Sequence, residues 1–182
     1  MPNAWENIEA YAAPSQAINS PEGHFIGVKV EQHERYDIFW FVWDKDGIIP
    51  KRIIHEDWEP LILYWRGNSL ARATVRLHYE WTDYSSDNLD EPNFSLPLKV
   101  IFAGSHHGAL VRKVNDPLFD ILVQSHKRLE FDYQAIREED VPSYARKGLF
   151  NRRGILVGAG QDIHERAHET LAELDEILGR TE

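Results

Sequence analysis

The run His55-Glu56-Asp57-Trp58-Glu59 sets an imidazole and two carboxylates at every second position. In an extended chain alternate side chains share a face, so His55, Asp57 and Glu59 project together while Glu56 and Trp58 project to the other side. Carboxylates held side by side repel one another, and burying them unpaired is strongly unfavourable, which makes a divalent cation a physically sensible partner. Mixed oxygen and imidazole donors suit Mg, Ca, Mn, Zn or Fe. The turn Gly104-Ser105-His106-His107-Gly108 follows an extended apolar segment and offers His107, or His106 beside it, as a fourth ligand. His78, on the polar side of another extended segment, and Glu56 are further candidates for contact with a bound molecule. An open position on the cation would take a phosphate, sugar or carboxylate group; if the ion activated water instead, Glu56 would be the available base. The plainer alternative is a solvated strand edge, with Trp58 as a core anchor and the two histidines as a polar turn.

A second pattern competes with this one. His164-Glu165-Arg166-Ala167-His168 matches HExxH, in which a helix presents two histidines to zinc and the glutamate activates a water. His164 and His168 are therefore the alternative metal ligands, and a zinc-dependent hydrolase is the function that goes with them. Against that reading, Arg166 puts a charge inside the motif, and the histidines flank an apolar stripe as the border of a docked helix would. Gly154 to Asp162 (GILVGAGQD) has the first two glycines of a dinucleotide-binding turn, yet Ile163 stands where the third belongs and no second βαβ unit follows. It reads as a connection before the last helix. The serine-hydrolase pattern Gly-x-Ser-x-Gly is absent, and Arg152 with Arg153 reads as a solvated pair.

The elements that must position these residues are mostly extended. Residues 4 to 12 are expected to form a short helix ended by Pro14. His24 to Glu34 gives a modest strand signal, and Tyr36 to Trp43 (YDIFWFVW) is an aromatic and β-branched run that fits a central strand buried on both faces. Asp44 to Gly47 makes a turn and Ile48 to Ile54 the next extended segment. Pro60 to Trp65 and Ala71 to Trp81 are expected to form a hairpin around Arg66, Gly67, Asn68 and Ser69. Within the second of these, Val75, Leu77, Tyr79 and Trp81 would share one face and Arg76, His78 and Glu80 the other. Thr82 to Pro97 is polar and acidic and reads as a long loop. Leu98 to Ala103 and Ala109 to Val114 are further strands. Beyond Asn115 the spacing turns helical: Pro117 opens a segment with Leu118, Ile121 and Leu122 on one side, Glu138 to Lys147 suggests a second helix, and Asp162 to Leu178 a third that docks through Ile163, Ala167, Leu171, Leu174 and Leu178.

Composition bounds what this scaffold can do. The 182 residues carry 42% hydrophobic side chains, including six tryptophans, enough to support a folded core. Thirty acidic against twenty basic residues give a formal charge of -10, which disfavours nucleic acid as a partner. With no cysteine, disulfides and thiolate metal sites are excluded, leaving His, Asp and Glu as ligands. No apolar run is long enough for a transmembrane segment, and MPNAWENIEAYAAPSQ lacks the basic and apolar regions of a secretory signal, so a cytoplasmic location is expected.

The run HEDWE, followed by a strand and later by SHHG, resembles the DWE signature of the necrosis- and ethylene-inducing peptide family and of plant vacuolar-sorting-associated proteins. That resemblance covers about ten residues directly and implies a β-sandwich. In the first group it further implies a metal held by a His and the DWE carboxylates, in a surface cavity that engages sphingolipid head groups. It would make Asp57 and Glu59 metal ligands and SHHG a downstream His-containing turn. The family's ligand histidine stands three residues before the Asp, where this chain has Ile54, with His55 one place later. The site is carried over by the likeness, but a secreted toxin role is not, given the missing signal and disulfide.

The resulting expectation is a single α+β domain over residues 1–182. Residues 24–114 would form an antiparallel β-sheet core, sandwich-like, and 115–182 a helical C-terminal part packed on it. The expected function is a soluble binding domain dependent on a divalent metal cation, recognising a small polar or anionic ligand through His55, Asp57, Glu59 and His107. The zinc hydrolase at His164 and His168 is the rival, and a metal-free protein-interaction module the third reading.

Overall fold

A computed structural model describes residues 4–14, 22–43, 57–77, 80–85, 94–103, 108–111, 117–130, 133–135, 169, 172–174 and 176. A 3-10 turn, Ala4–Asn7, leads into β1 (Ile8–Ala12), followed by β2 (Glu22–Glu31), β3 (Glu34–Trp43), β4 (Asp57–Arg66), β5 (Ser69–Leu77), β6 (Glu80–Ser85), β7 (Leu98–Ala103) and β8 (Gly108–Val111). Helix α1 (Pro117–Ser125) and the short strands β9 (Lys127–Arg128) and β10 (Tyr133–Ala135) come next. Residues 169, 172–174 and 176 are helical. Among the described residues these strands make two sheets, one of order β10-β2-β3-β4-β5-β6 and one of order β8-β7-β1-β9. Pairing is antiparallel except for β1 with β7 and β10 with β2. The mostly antiparallel β core in two layers is the expected one; of the expected helical C-terminal part, α1 and the helical residues 169, 172–174 and 176 are among the described residues. No helix among the described residues is long and apolar enough to cross a membrane.

Strand β3 explains how the layers meet. Its residues from Tyr36 to Trp43 are all buried, as a continuous apolar run predicts for a central strand. Phe39, Phe41 and Trp43 point into the core between the sheets, where Leu61, Leu63, Trp65, Ala73 and Val75 join Ala10, Leu98, Val100 and Phe102 of the smaller sheet. The antiparallel register pairs Phe39 with Leu61 and Leu61 with Val75, so residues of one parity share that face across three strands. Phe102 sits 4.6 Å from Phe41 and 4.7 Å from Trp43 between ring centres, and Trp5 lies 4.8 Å edge-on to Phe39. Such aromatic pairs add about 0.5–1.5 kcal/mol each beyond the area they bury. Tyr36, Ile38, Trp40 and Val42 occupy the opposite face of the sheet, and they too are buried.

Several expected elements differ. The helix expected over residues 4 to 12 is a 3-10 turn and a strand, because Ile8, Ala10 and Ala12 are buried with Glu9 and Tyr11 alternating between them, a two-residue period that parallel pairing with β7 exploits. The single strand expected from Ala71 to Trp81 is two: β5 ends at Leu77 and β6 returns antiparallel, placing Trp81 opposite Arg76 rather than on one face with Val75. Part of the expected loop after Thr82 is thus an edge strand. Helix α1 turns its Phe119 inward and leaves Leu118 and Ile121 exposed, the reverse of the expected stripe. Leu174 of the expected C-terminal stripe is wholly buried, while Ile163, Ala167, Leu171 and Leu178 lie outside the described residues. The segments Ile48 to Ile54, Glu138 to Lys147 and Gly154 to Asp162 lie outside the described residues.

Candidate ligand-binding site

Strand β4 begins at Asp57, which pairs with Trp43, and Glu59 pairs with Phe41. The two acidic residues therefore occupy alternate positions of a real strand at one end of the larger sheet. Glu59 is the expected ligand whose side chain is described. Its carboxylate is buried, with 4% of the side chain exposed, and Oε1 lies 3.4 Å from Nη2 of Arg76, which is 23% exposed. Arg76 comes from β5, two strands from β3, and faces Trp81 of β6. One step along β5 on the same side, the Thr74 hydroxyl donates to Oδ1 of Asp83 at 2.6 Å, and both residues are buried. This end of the sheet thus holds two buried carboxylates, a guanidinium and a hydroxyl. Carboxylates removed from water demand positive charge or donors; the β5–β6 register sets Thr74 opposite Asp83, and the Arg76 side chain reaches Glu59.

Of the remaining expected site residues, Asp57 is described in its backbone alone, and His55, Glu56, His78, His106 and His107 lie outside the described residues. So do His164, Glu165 and His168 of the rival motif. Among the described residues no three His, Asp or Glu side chains gather into a metal-binding group. Arg76, Thr74 and Asp83 were not singled out by sequence reasoning. Their signal was present for Arg76, which falls on the polar side of its strand, but Asp83 looked like one acid among several in a loop.

At the other end of the strands a second polar cluster is built on the face turned away from the core between the sheets. Tyr36, Tyr64 and Arg72 are aligned across β3, β4 and β5 by the register. Arg72 donates from Nη2 to the Tyr36 hydroxyl at 2.9 Å, and that hydroxyl donates to Oε2 of Glu173. Burial, then the hydrogen bond to Glu173, push the Tyr36 phenol far above its ordinary value, so it remains a protonated donor. The Arg72 and Arg66 guanidinium groups sit 4.3 and 5.6 Å from the centre of the Tyr64 ring. On the opposite face at the hairpin tips, Arg35 lies 5.0 Å over Trp65 and pairs with buried Asp37 at 3.3 Å. Burial raises the Asp37 carboxyl, with Arg35 and the Trp65 indole acting against it.

Fold and site together define a two-sheet β protein with charged residues buried at both ends of its larger sheet. No family model matches the chain. No curated protein matches it either. Among solved structures it is similar to the necrosis- and ethylene-inducing proteins, the family that the DWE run resembles. Necrosis and Ethylene inducing Protein 2 from the causal agent of cocoa's Witches Broom disease aligns at 13% identity and a TM-score of 0.40, over 72% of this chain and 57% of that one. NLPPya in complex with glucosamine aligns at 10% identity and a TM-score of 0.43, over 81% and 68% respectively. The non-toxic HaNLP3 protein gives 10% and 0.40, over 81% and 67%. The chain thus spans 57% of the length of the first of these relatives.

Proposed function

We propose that the chain is a binding domain that takes a small polar or anionic ligand at the Asp57 end of β4, through a divalent cation. His55, Asp57 and Glu59 would hold the ion and His107 would complete the set, with His106, Glu56 and His78 available to the ligand. The observation that carries this reading is the buried Glu59 carboxylate at a strand end, with Asp57 two positions away. Oxygen donors of this kind suit a hard cation, and Arg76 engages the Glu59 carboxylate through Oε1. When bound, the cation would supply a positively charged docking point for phosphate, sugar or carboxylate oxygens. The residues of the chain fix the geometry: the β3–β4 register sets the spacing of Asp57 and Glu59, and Arg76 orients the Glu59 carboxylate.

Metal analysis of the purified full chain tests the reading, using wild type, His55→Ala, Glu59→Gln and His168→Ala. A stoichiometric divalent ion that is lost in the first two variants and kept in the third is the expected result. Loss in His168→Ala alone would move the site to the HExxH motif and a zinc hydrolase. A wild type that binds no divalent ion, with Mg, Ca and Mn each added, would leave a metal-free interaction module.

A further inference from the structure

The cluster at the opposite end of the larger sheet has the makeup of a carboxylate receptor, and its occupant belongs to the same chain. Tyr36 is wholly buried, and its hydroxyl both accepts from Arg72 and donates to Glu173. Arg72 reaches Oε2 of Glu173 at 3.6 Å with the same Nη2 that serves Tyr36, while its Nε is buried and has no hydrogen-bond partner among the described residues. An arginine recognises a carboxylate best through two parallel N–H groups, so the present contact uses the receptor incompletely. The Arg72 guanidinium lies 4.3 Å over the centre of the Tyr64 ring, a cation–π contact that helps hold it in place.

Leu174 is fully buried, Ala172 and Glu173 are half-buried, and Glu169 and Glu176 are exposed. The Glu173 side chain is 41% exposed, which makes it a contact that solvent can compete for.

We propose that Tyr36, Tyr64 and Arg72 form a carboxylate-binding notch that is occupied, and thereby gated, by Glu173 of the C-terminal segment. Glu173 acts as an internal ligand. When residues 172–174 lift, the notch accepts a carboxylate from a separate molecule, so ligand binding and release of the segment compete. The notch lies five residues along β4 from Glu59, roughly 16 Å at strand rise, and is independent of the cation site proposed above.

Removing the internal ligand while keeping the notch tests the proposal in the full-length protein. Glu173→Ala should speed amide exchange at residues 172–174 by roughly tenfold, as loss of one charge-assisted hydrogen bond implies, with the amides of β3 to β5 unchanged. Sodium acetate, compared with sodium chloride at equal ionic strength, should raise the Tm of Glu173→Ala saturably. It should do so far less in Glu173→Ala with Arg72→Gln, in Glu173→Ala with Tyr36→Phe, and in wild type. Glu173→Gln keeps the side chain in the notch and should likewise ignore acetate. An equal acetate response in Glu173→Ala and both double variants would overturn the proposal, as would unchanged exchange at residues 172–174 in Glu173→Ala.

Discussion

Replacing Arg76 with Met tests the electrostatic reasoning at the Glu59 end of the sheet, because it keeps most of the side-chain volume and removes the charge. Glu59 keeps only 4% of its side chain in contact with solvent, so water cannot substitute for the guanidinium now 3.4 Å from Oε1. Removing one partner of a buried pair costs about 3–5 kcal/mol. Arg76 is itself 23% exposed, which moves the expectation to the lower side, about 2–3 kcal/mol. For a chain of this length that is a fall in Tm of roughly 5–10 °C. Glu59→Gln with Arg76→Met should recover at least about 1 kcal/mol of the loss, since the neutral amide no longer requires a counter-charge. Urea titration of the four proteins gives the cycle directly.

The same variant bears on the cation. With Arg76 gone, Glu59 loses the positive charge now beside Oε1, and a divalent ion should stabilise Arg76→Met more than it does wild type. At a hundred times the dissociation constant the gain is about 2.7 kcal/mol, comparable to the loss. Titrating Mg, Ca or Mn into the unfolding assay measures it. If Arg76→Met stays within about 0.5 kcal/mol of wild type, the pair is not the buried contact described above. If divalent ions stabilise Arg76→Met no more than the double variant, Glu59 is not a ligand.

Two other perturbations test the far end of the sheet. Burial raises the Asp37 carboxyl above its ordinary value of 3.8, so the folded state holds a proton that the unfolded chain releases; this group's contribution to stability falls as pH rises from about 4 through the raised value. Asp37→Asn should flatten that part of the pH-stability profile, and an unchanged slope in the acid-range urea midpoints would count against the assignment. Gly67 opens the β4–β5 turn at a φ of 60°, and a β-carbon there would meet nothing within 4 Å. Gly67→Ala should therefore cost about 1–2 kcal/mol from backbone strain alone, and Gly67→Asn distinctly less, as read by chemical denaturation.

What could be read from the residues, and what could not, follows from the range of the interactions. Tyr36 to Trp43 announces itself because a strand buried on both faces needs apolar side chains at every position, and that requirement is local. The Gly67–Asn68 turn is legible for the same reason. Residues 4 to 12 misled because AWENIEAYA supports helical and two-residue spacing equally, and the choice was made by β7, far along the chain, pairing with Ile8 to Ala12. Thr82 to Ser85 read as loop because its acids suggested solvent, whereas Asp83 is buried against Thr74. Strands β9 and β10 are too short to carry a period at all. In α1 the apolar spacing was real, but Phe119 took the inward position and left Leu118 and Ile121 outside.

The candidate site divides along the same line. Alternation along one strand is a local property, so the placement of Asp57 and Glu59 two positions apart on β4 could be anticipated from HEDWE. The partner of Glu59 could not, since Arg76 reaches it only through the β4–β5 hairpin, and the notch at Tyr36 joins residues from three strands and the C-terminal segment. Both clusters therefore depend on one set of registers: Phe41 with Glu59, Tyr36 with Tyr64, and Tyr64 with Arg72. A slip of one residue between β3 and β4 would move Glu59 away from Phe41 and Tyr64 away from Tyr36 at once. The apolar core makes that slip costly, because it would also turn Leu61, Leu63 and Trp65 out of the layer they share with Val100 and Phe102. The two polar ends of the sheet are thus held in place by the apolar middle.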